Sequence, residues 1–311
     1  MRFFFLAAFA ISTPAQWSVQ PLPAATHTKG AALHANHLYS WGRGVHRGRK
    51  QLLSGDYGPA GCLTDVNRDG HIDLILHRLP SEIVWLEGPR LNRARVIDTE
   101  ADFANCLGTT LLGHRGVLLT HRGLQVRFYE IPTNPRTTQH WPYREIYSFY
   151  TASYQAGLLQ RDIDGDGHPD LLCGNYWIQS PPEFALPWRL YAINTYNETP
   201  ESAHMQLDWT NGALLASQPA IDHGKVTLFT PPADPKQLWR EQPIATGLRY
   251  PRAVTWRDGQ YIASDAARLW LYSGPSRQLL REDFPIHTLT KTADAILAAG
   301  PAGALLLKPL P

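Results

Sequence analysis

Two nine-residue stretches carry oxygen side chains at alternate positions: Asp65-Val66-Asn67-Arg68-Asp69-Gly70-His71-Ile72-Asp73 and Asp162-Ile163-Asp164-Gly165-Asp166-Gly167-His168-Pro169-Asp170. Each has a carboxylate or amide at positions 1, 3, 5 and 9, and a glycine at position 6, where the chain must turn sharply. Calcium is a hard cation that takes about six to eight oxygens, so short oxygen side chains alternating on a tight loop can wrap one ion. The pattern predicts two calcium ions. One would sit on Asp65, Asn67, Asp69 and Asp73 with the His71 carbonyl, the other on Asp162, Asp164, Asp166 and Asp170 with the His168 carbonyl. At position 7 the backbone oxygen binds, so neither imidazole is needed.

The flanks decide what positions these loops. An EF-hand would need helices on both sides and a bidentate glutamate at position 12, which here is Leu76 in the first copy and Cys173 in the second. Both loops instead run into apolar text, Asp73-Leu-Ile-Leu and Asp170-Leu-Leu-Cys, and come after short alternating segments, so each is predicted to connect two β-strands. Tyr57 and Tyr154 each lie eight residues before a loop, and Tyr250 lies eight before a shortened third copy beginning at Asp258. The tyrosines are thus 97 and 96 residues apart (154−57 and 250−154), with Tyr143-Arg-Glu and Trp239-Arg-Glu each eleven residues ahead of the second and third. Strand-like text fills the intervals, which halves the period to roughly 48 and suits a four-stranded propeller blade.

With this grammar the chain resembles the FG-GAP or VCBS-type repeats of calcium-binding, integrin-α-like β-propellers, including secreted bacterial forms. Tyr57-Gly58 and then Asp65 to Asp73 are similar to that repeat throughout; Tyr154 with Asp162 to Asp170 matches the loop but has Gln155 where the glycine would be. The resemblance implies an all-β fold and calcium at the two complete loops only.

The termini supply a blade count. Trp17-Ser-Val-Gln20-Pro21 reads like Trp239-Arg-Glu-Gln242-Pro243, the outermost strand of a blade, while 292–308 reads as inner strands lacking an outer partner. Pairing them would close the ring and remove an open sheet edge. With units at 24–55, 56–98, 99–147, 148–203, 204–246 and 247–287, the expectation is a seven-bladed propeller, with six possible. Residues 1–15 have the charge and short apolar run of a secretory signal, leaving 16–311 as one domain and a secreted or periplasmic, monomeric protein. No segment is apolar enough to span a membrane.

Composition agrees with a compact extracellular β protein. The chain is 43% hydrophobic and 18% charged with ten Trp and thirteen Tyr, which excludes a disordered polyelectrolyte. A net charge of +2 with scattered Lys and Arg gives no nucleic-acid surface. Cys62 and Cys106 fall at matching points of neighbouring inner strands, where an exporting compartment permits a disulfide, but they read rather as small buried hydrophobes. Cys173 has no evident partner. His34 and His37, three apart in strand-like text, are expected on opposite faces.

The connections entering the inner strands would line the central mouth opposite the calcium loops. There the register collects His27, Lys29, Asp56, Tyr57, Asp102, Tyr154, Gln155, His204, Arg249, Tyr250 and Lys291. Tyr154, His204, Arg249 and Tyr250 are the candidate ligand-binding residues, suited to a sugar or a carboxylate-bearing ligand. The tyrosines serve equally as repeat-packing residues. An aromatic and proline-rich insertion, 175–188, is either a functional graft or a cap on its own blade. Nucleophile elbow, zincin helix and phosphate loop are all missing from the sequence. The expected role is a binding platform for carbohydrate or extracellular protein. A sugar-directed lyase or dehydratase is the alternative, requiring a base such as His204 or Tyr250 beside an arginine.

Overall fold

The computed structural model describes residues 16–100, 102–150, 157–194, 206–218, 223–257 and 259–310, all strand and loop with no helix. Strand β1 (Trp17–Leu22) leads into β2 (Thr28–His34), β3 (His37–Arg47), β4 (Lys50–Thr64), β5 (Asp73–Arg78), β6 (Glu82–Leu86) and β7 (Ala94–Asp98). Next come β8 (Phe103–Leu111), β9 (His114–His121), β10 (Gln125–Glu130), β11 (Tyr143–Ser148), β12 (Leu158–Arg161), β13 (Asp170–Cys173), β14 (Tyr176–Gln179) and β15 (Arg189–Ala192). The chain continues through β16 (Gln206–Thr210), β17 (Ala213–Gln218), β18 (Gly224–Thr230), β19 (Arg240–Leu248), β20 (Ala253–Thr255), β21 (Gln260–Asp265), β22 (Arg268–Ser273) and β23 (Ser276–Arg281). It ends in β24 (Thr288–Lys291), β25 (Ile296–Gly300) and β26 (Gly303–Pro309).

These strands form six hydrogen-bonded sheets arranged as a β-propeller: β2 to β7, β8 to β11, β12 to β15, β16 to β19, β20 to β23, and β24-β25-β26-β1. Six blades by hydrogen bonding is the smaller count the sequence allowed. The first sheet has six strands because β4 serves two partners. Its first half pairs with β3 up to Arg43↔Asp56, and its second half pairs with β5 from Tyr57↔Arg78 to Thr64↔Asp73. Gly55, at φ 137°, lies beside the switch, in a backbone region that a side chain rarely adopts. The two halves of this one sheet pack against each other as two units, through Trp41, Tyr57 and Leu76.

The sequence pattern within a blade reflects exposure. Second strands are covered on both faces by neighbouring sheets, so they read as unbroken apolar runs: Leu171, Leu172 and Cys173 are all fully buried, as are Leu74, Ile75 and Leu76. Outer strands such as β23 have little cover and are polar. Among the described residues, seven apolar clusters fill the spaces between successive units. Trp85, Ile75, Leu119 and Tyr129 share one, Trp177, Leu172, Leu214 and Phe229 another.

The ring closes as the termini predicted. Strand β1 pairs antiparallel with β26 from Trp17↔Pro309 to Leu22↔Ala304. Trp17 meets Trp256 edge-on at 5.1 Å, so the first strand also packs across to the preceding blade. The cysteine expectation is corrected: Cys62 and Cys106 form a disulfide between the adjacent inner strands β4 and β8, because the blade-to-blade spacing brings their Cα atoms to 5.4 Å. Cys173 is free and fully buried, and burial pushes its thiol up to about 12. The histidine expectation is corrected too. His34 and His37 stand directly opposite each other, since Ala35 and Asn36 form a two-residue hairpin turn with positive φ rather than continuing the strand.

Closure makes a direct prediction. A chain starting at Ala24 should melt at least about 10 °C lower or aggregate, because losing β1 bares both the β26 edge and the apolar face under Trp17 and Val19. Differential scanning calorimetry with size-exclusion chromatography checks this; an unchanged transition would show that closure is dispensable.

Candidate functional site: two acidic loops and an axial channel

The second acidic loop joins β12 to β13 at the exit of an inner strand. Carboxylate oxygens of Asp162, Asp164 and Asp166 lie within 4.8 Å of one another, exposed to solvent. The loop's own amides hold them there. Gly165 and Gly167 N–H donate to the two oxygens of Asp162, Asp166 N–H donates to Asp164, and His168 N–H donates to Asp166. Gly167 has φ 86°, the left-handed turn that position 6 demands. Three convergent, amide-oriented carboxylates suit a hard cation and crowd like charges without one.

Position 9 behaves differently. Asp170 is fully buried, accepting from Ile163 N–H at 3.1 Å and Ser180 N–H at 2.7 Å. Asp73 is its counterpart, accepting from Val66 N–H at 2.9 Å and Gly88 N–H at 2.6 Å. Burial raises both carboxyls, Asp170 to about 6, against the opposing pull of these amides. A buried indole, Trp85 or Trp177, lies within electrostatic reach of each carboxylate without closing a hydrogen bond of its own. Asp170 stands apart from the cluster of three. Position 9 pins each loop to the far end of its sheet, whatever further oxygen contact it offers an ion.

The first loop, between β4 and β5, has the same scaffold in a more basic setting. Asp65 accepts from Asp69 and Gly70 N–H, and Asp69 from His71 N–H. The Asn67 amide donates to Asp69 and to Glu87. Arg136 pairs with Glu87 at 2.5 Å and lies 3.6 Å from Asp69, while Arg115 donates to the Asp65 carbonyl at 2.7 Å. The hydrogen bond from His71 N–H holds the Asp69 carboxyl below its usual range, with Asn67 and Arg136 adding to the effect. An arginine beside an amide-containing site repels a cation that the all-carboxylate second loop attracts.

The inner strands enclose an axial channel of about 450 Å³ on the face where they begin, opposite the acidic loops. Its lining includes Arg252, His287, Gln206, Asn105, Thr288 and Thr290. Gln206 Nε2 donates to the Leu289 carbonyl at 2.7 Å. Burial, then the charge of Arg252, lowers the pKa of His287.

The residues expected at this mouth are dispersed. Tyr154 and His204, with Gln155, lie outside the described residues, as does Asp258. Arg249 and Tyr250 are exposed on the connection from β19 to β20, away from the channel lining; the Arg249 N–H donates to Asp265. The residue that reaches the channel is Arg252, because Tyr250 adopts φ 47° and Pro251 comes next, which breaks the alternation used to count the register. Tyr57 is fully buried between the first two units, its hydroxyl donating to the Ser54 carbonyl. Lys29 and Asp56 pair at 3.0 Å on the surface. Lys291 belongs to the opposite end of its strand, donating to the Trp256 carbonyl.

The insertion 175–188 is resolved in favour of packing, but against the neighbour rather than its own blade alone. Phe184 stacks on His114 at 4.3 Å and meets Phe128 edge-on, and Arg144 donates to the carbonyls of Ala185 and Leu186.

Comparison with known proteins bears on the fold. The chain is similar to BBS1N in its complex with ARL6DN (TM-score 0.60, 10% identity, covering 96% of this chain and 98% of that one). It is also similar to YCF48 from Cyanidioschyzon merolae (TM-score 0.59, 11%, 95% and 98%) and to the Nup133 β-propeller domain of Vanderwaltozyma polyspora (TM-score 0.56, 12%, 96% and 99%). At such identities the likeness establishes the propeller alone. No family model and no curated protein sequence matches the chain.

The division of labour within the loop is testable without any ion. In chelator, Asp170→Ala should cost about 2–4 kcal/mol, since it strands the Ile163 and Ser180 amides, whereas Asp166→Ala should cost under about 1 kcal/mol or stabilise by relieving repulsion. Urea denaturation checks this, and equal losses would refute the assignment of position 9 as a structural anchor.

Proposed function

We propose that this chain is an exported, calcium-stabilised propeller of the FG-GAP or VCBS type that serves as a binding platform for an extracellular carbohydrate or protein. The calcium part is supported by the convergence of Asp162, Asp164 and Asp166 on one exposed point. Asp65, Asn67 and Asp69 make a second, weaker position, with Arg136 at its edge. Export is supported by the disulfide between Cys62 and Cys106, a bond that persists in oxidising compartments, and by the signal-like first residues. No helix of the described residues is long and apolar enough to cross a membrane.

The observation that carries the binding reading is the axial channel. It is concave, framed by rigid strands and lined by one guanidinium, one imidazole, hydroxyls and amides, with no carboxylate in its described lining. Such a cavity is equipped to orient a ligand. Fold neighbours are found with partners: one solved structure is YCF48 bound to D1 peptide, another BBS1N in complex with ARL6DN. The lyase or dehydratase reading draws on one feature, His287 beside Arg252, where a neutral imidazole could take a proton from a sugar acid whose carboxylate the arginine holds.

Two measurements test the proposal. Metal analysis should find two calcium ions per chain with unequal affinity. Asp166→Ala should remove the tighter one, and millimolar calcium should add about 1–3 kcal/mol of stability that chelator removes. Metal-free protein with an unchanged melting curve would end the calcium assignment. A glycan array and an extracellular-protein pull-down, run beside an ultraviolet assay for unsaturated sugar products, separate platform from enzyme: the platform retains ligand without forming product, and product formation would replace it with the lyase.

A further inference from the structure

We propose that Arg252 makes the axial channel a receptor for a carboxylate group. The residue stands immediately before inner strand β20 and lines the cavity. Its backbone N–H donates to Ser264 Oγ at 2.9 Å, which fixes its base against β21. Arg78, Arg95, Arg136 and Arg268 each pair with a carboxylate. Among the described residues Arg252 pairs with none.

The electrostatics agree with the geometry. Burial in the channel wall pulls the Arg252 pKa down to about 10, and no acid among the described residues offsets it, while part of its surface stays open to the channel. A half-buried guanidinium in a concave wall, with no carboxylate partner among the described residues, adds little to stability and presents its charge to the channel. A bound anion supplies the missing partner.

The lining also selects the anion. Thr288, Leu289 and Thr290 of β24 all border the channel; Leu289 is otherwise buried in the blade interface, which leaves the two threonines as the polar groups of this wall. Together with Gln206 they offer neutral hydrogen-bonding groups around a single positive charge. A planar fork matches a carboxylate through two parallel hydrogen bonds. One charge neutralises a carboxylate fully but leaves a phosphate dianion half uncompensated. The volume of about 450 Å³ admits a group of monosaccharide or dipeptide size. This deepens the binding-platform reading by naming the chemistry of the ligand group that enters the channel.

Isothermal titration calorimetry on the full chain in calcium tests it with matched pairs: galacturonate against galactose, and N-acetylglycine against N-acetylglycinamide, with inorganic phosphate as a third arm. The acid of at least one pair should bind at least about tenfold more tightly than its neutral partner, and Arg252→Gln should abolish that preference. The responding pair identifies the source, a sugar acid or a peptide terminus. Without ligand, Arg252→Gln should melt no lower than the wild type, since it removes a half-buried charge that no described carboxylate pairs. The proposal is overturned by no acid preference in either pair, by tighter binding of phosphate, by a preference that survives in the variant, or by a variant that misfolds or melts lower. If a protein or glycan bound the wild type and the variant equally, the platform reading would stand and the carboxylate site would fall.

Discussion

A sheet with apolar side chains on both faces cannot stand alone in water, and every blade of this chain is such a sheet. Its second and third strands are buried from both sides, so each blade needs two neighbours, and only a closed ring gives every blade two. The pairing of β1 with β26 therefore decides the whole structure: it completes the last sheet, covers the edge of β26 and brings the first and last units into contact through Ala31, Leu38, Leu297 and Ala299. In an open ring the same sequence would expose two apolar faces at once. The disulfide between β4 and β8 adds a covalent tie near the axis, where neighbouring inner strands run closest.

Closure also separates two kinds of chemistry. Inner strands all run the same way through the disc, so the segments entering them gather at one mouth and the segments leaving them gather at the other. The acidic loops leave β4 and β12; Arg252 and His287 precede β20 and β24. The clustered carboxylates and the Arg252 guanidinium are thereby kept at opposite ends, so the acids of the loops do not neutralise the arginine. Within each loop the same separation recurs at smaller scale. Positions 1, 3 and 5 of the second loop stay exposed, their carboxylates oriented by the loop's own amides, while in both loops the buried aspartate at position 9 is committed to two amides and fixes where the loop sits.

Much of this was legible because it repeats. The spacing of Tyr57, Tyr154 and Tyr250 marked the inner strands, and the likeness of the Trp17 and Trp239 segments revealed closure, since an outer strand has its own pattern of exposure. The failures depended on local backbone geometry or on distance between blades. The hairpin at Ala35-Asn36 reversed the expected faces of His34 and His37; two residues are too few for a periodicity to announce a turn. The Cys62–Cys106 bond depends on inter-blade spacing, which no count along the chain supplies. The boundary between the first two units falls inside β4, a single unbroken strand, so hydrogen bonding and packing count the blades differently.

The most consequential miss was three residues long. Counting from Tyr250 put Arg249 in the mouth, yet the positive φ of Tyr250 and the ring of Pro251 turn the chain so that Arg252 enters instead. The site itself accounts for this error. A residue that must leave the blade interface and face the axis needs a break in the strand's alternation, and a break is what defeats a register count. Where the repeat is most regular it describes the scaffold; where it is interrupted just ahead of an inner strand, the chain has room to place a charge that packing alone would exclude. Arg252 occupies such a place, half-buried in the channel wall with no carboxylate partner among the described residues, whereas Arg249, three residues before it, lies outside the channel lining.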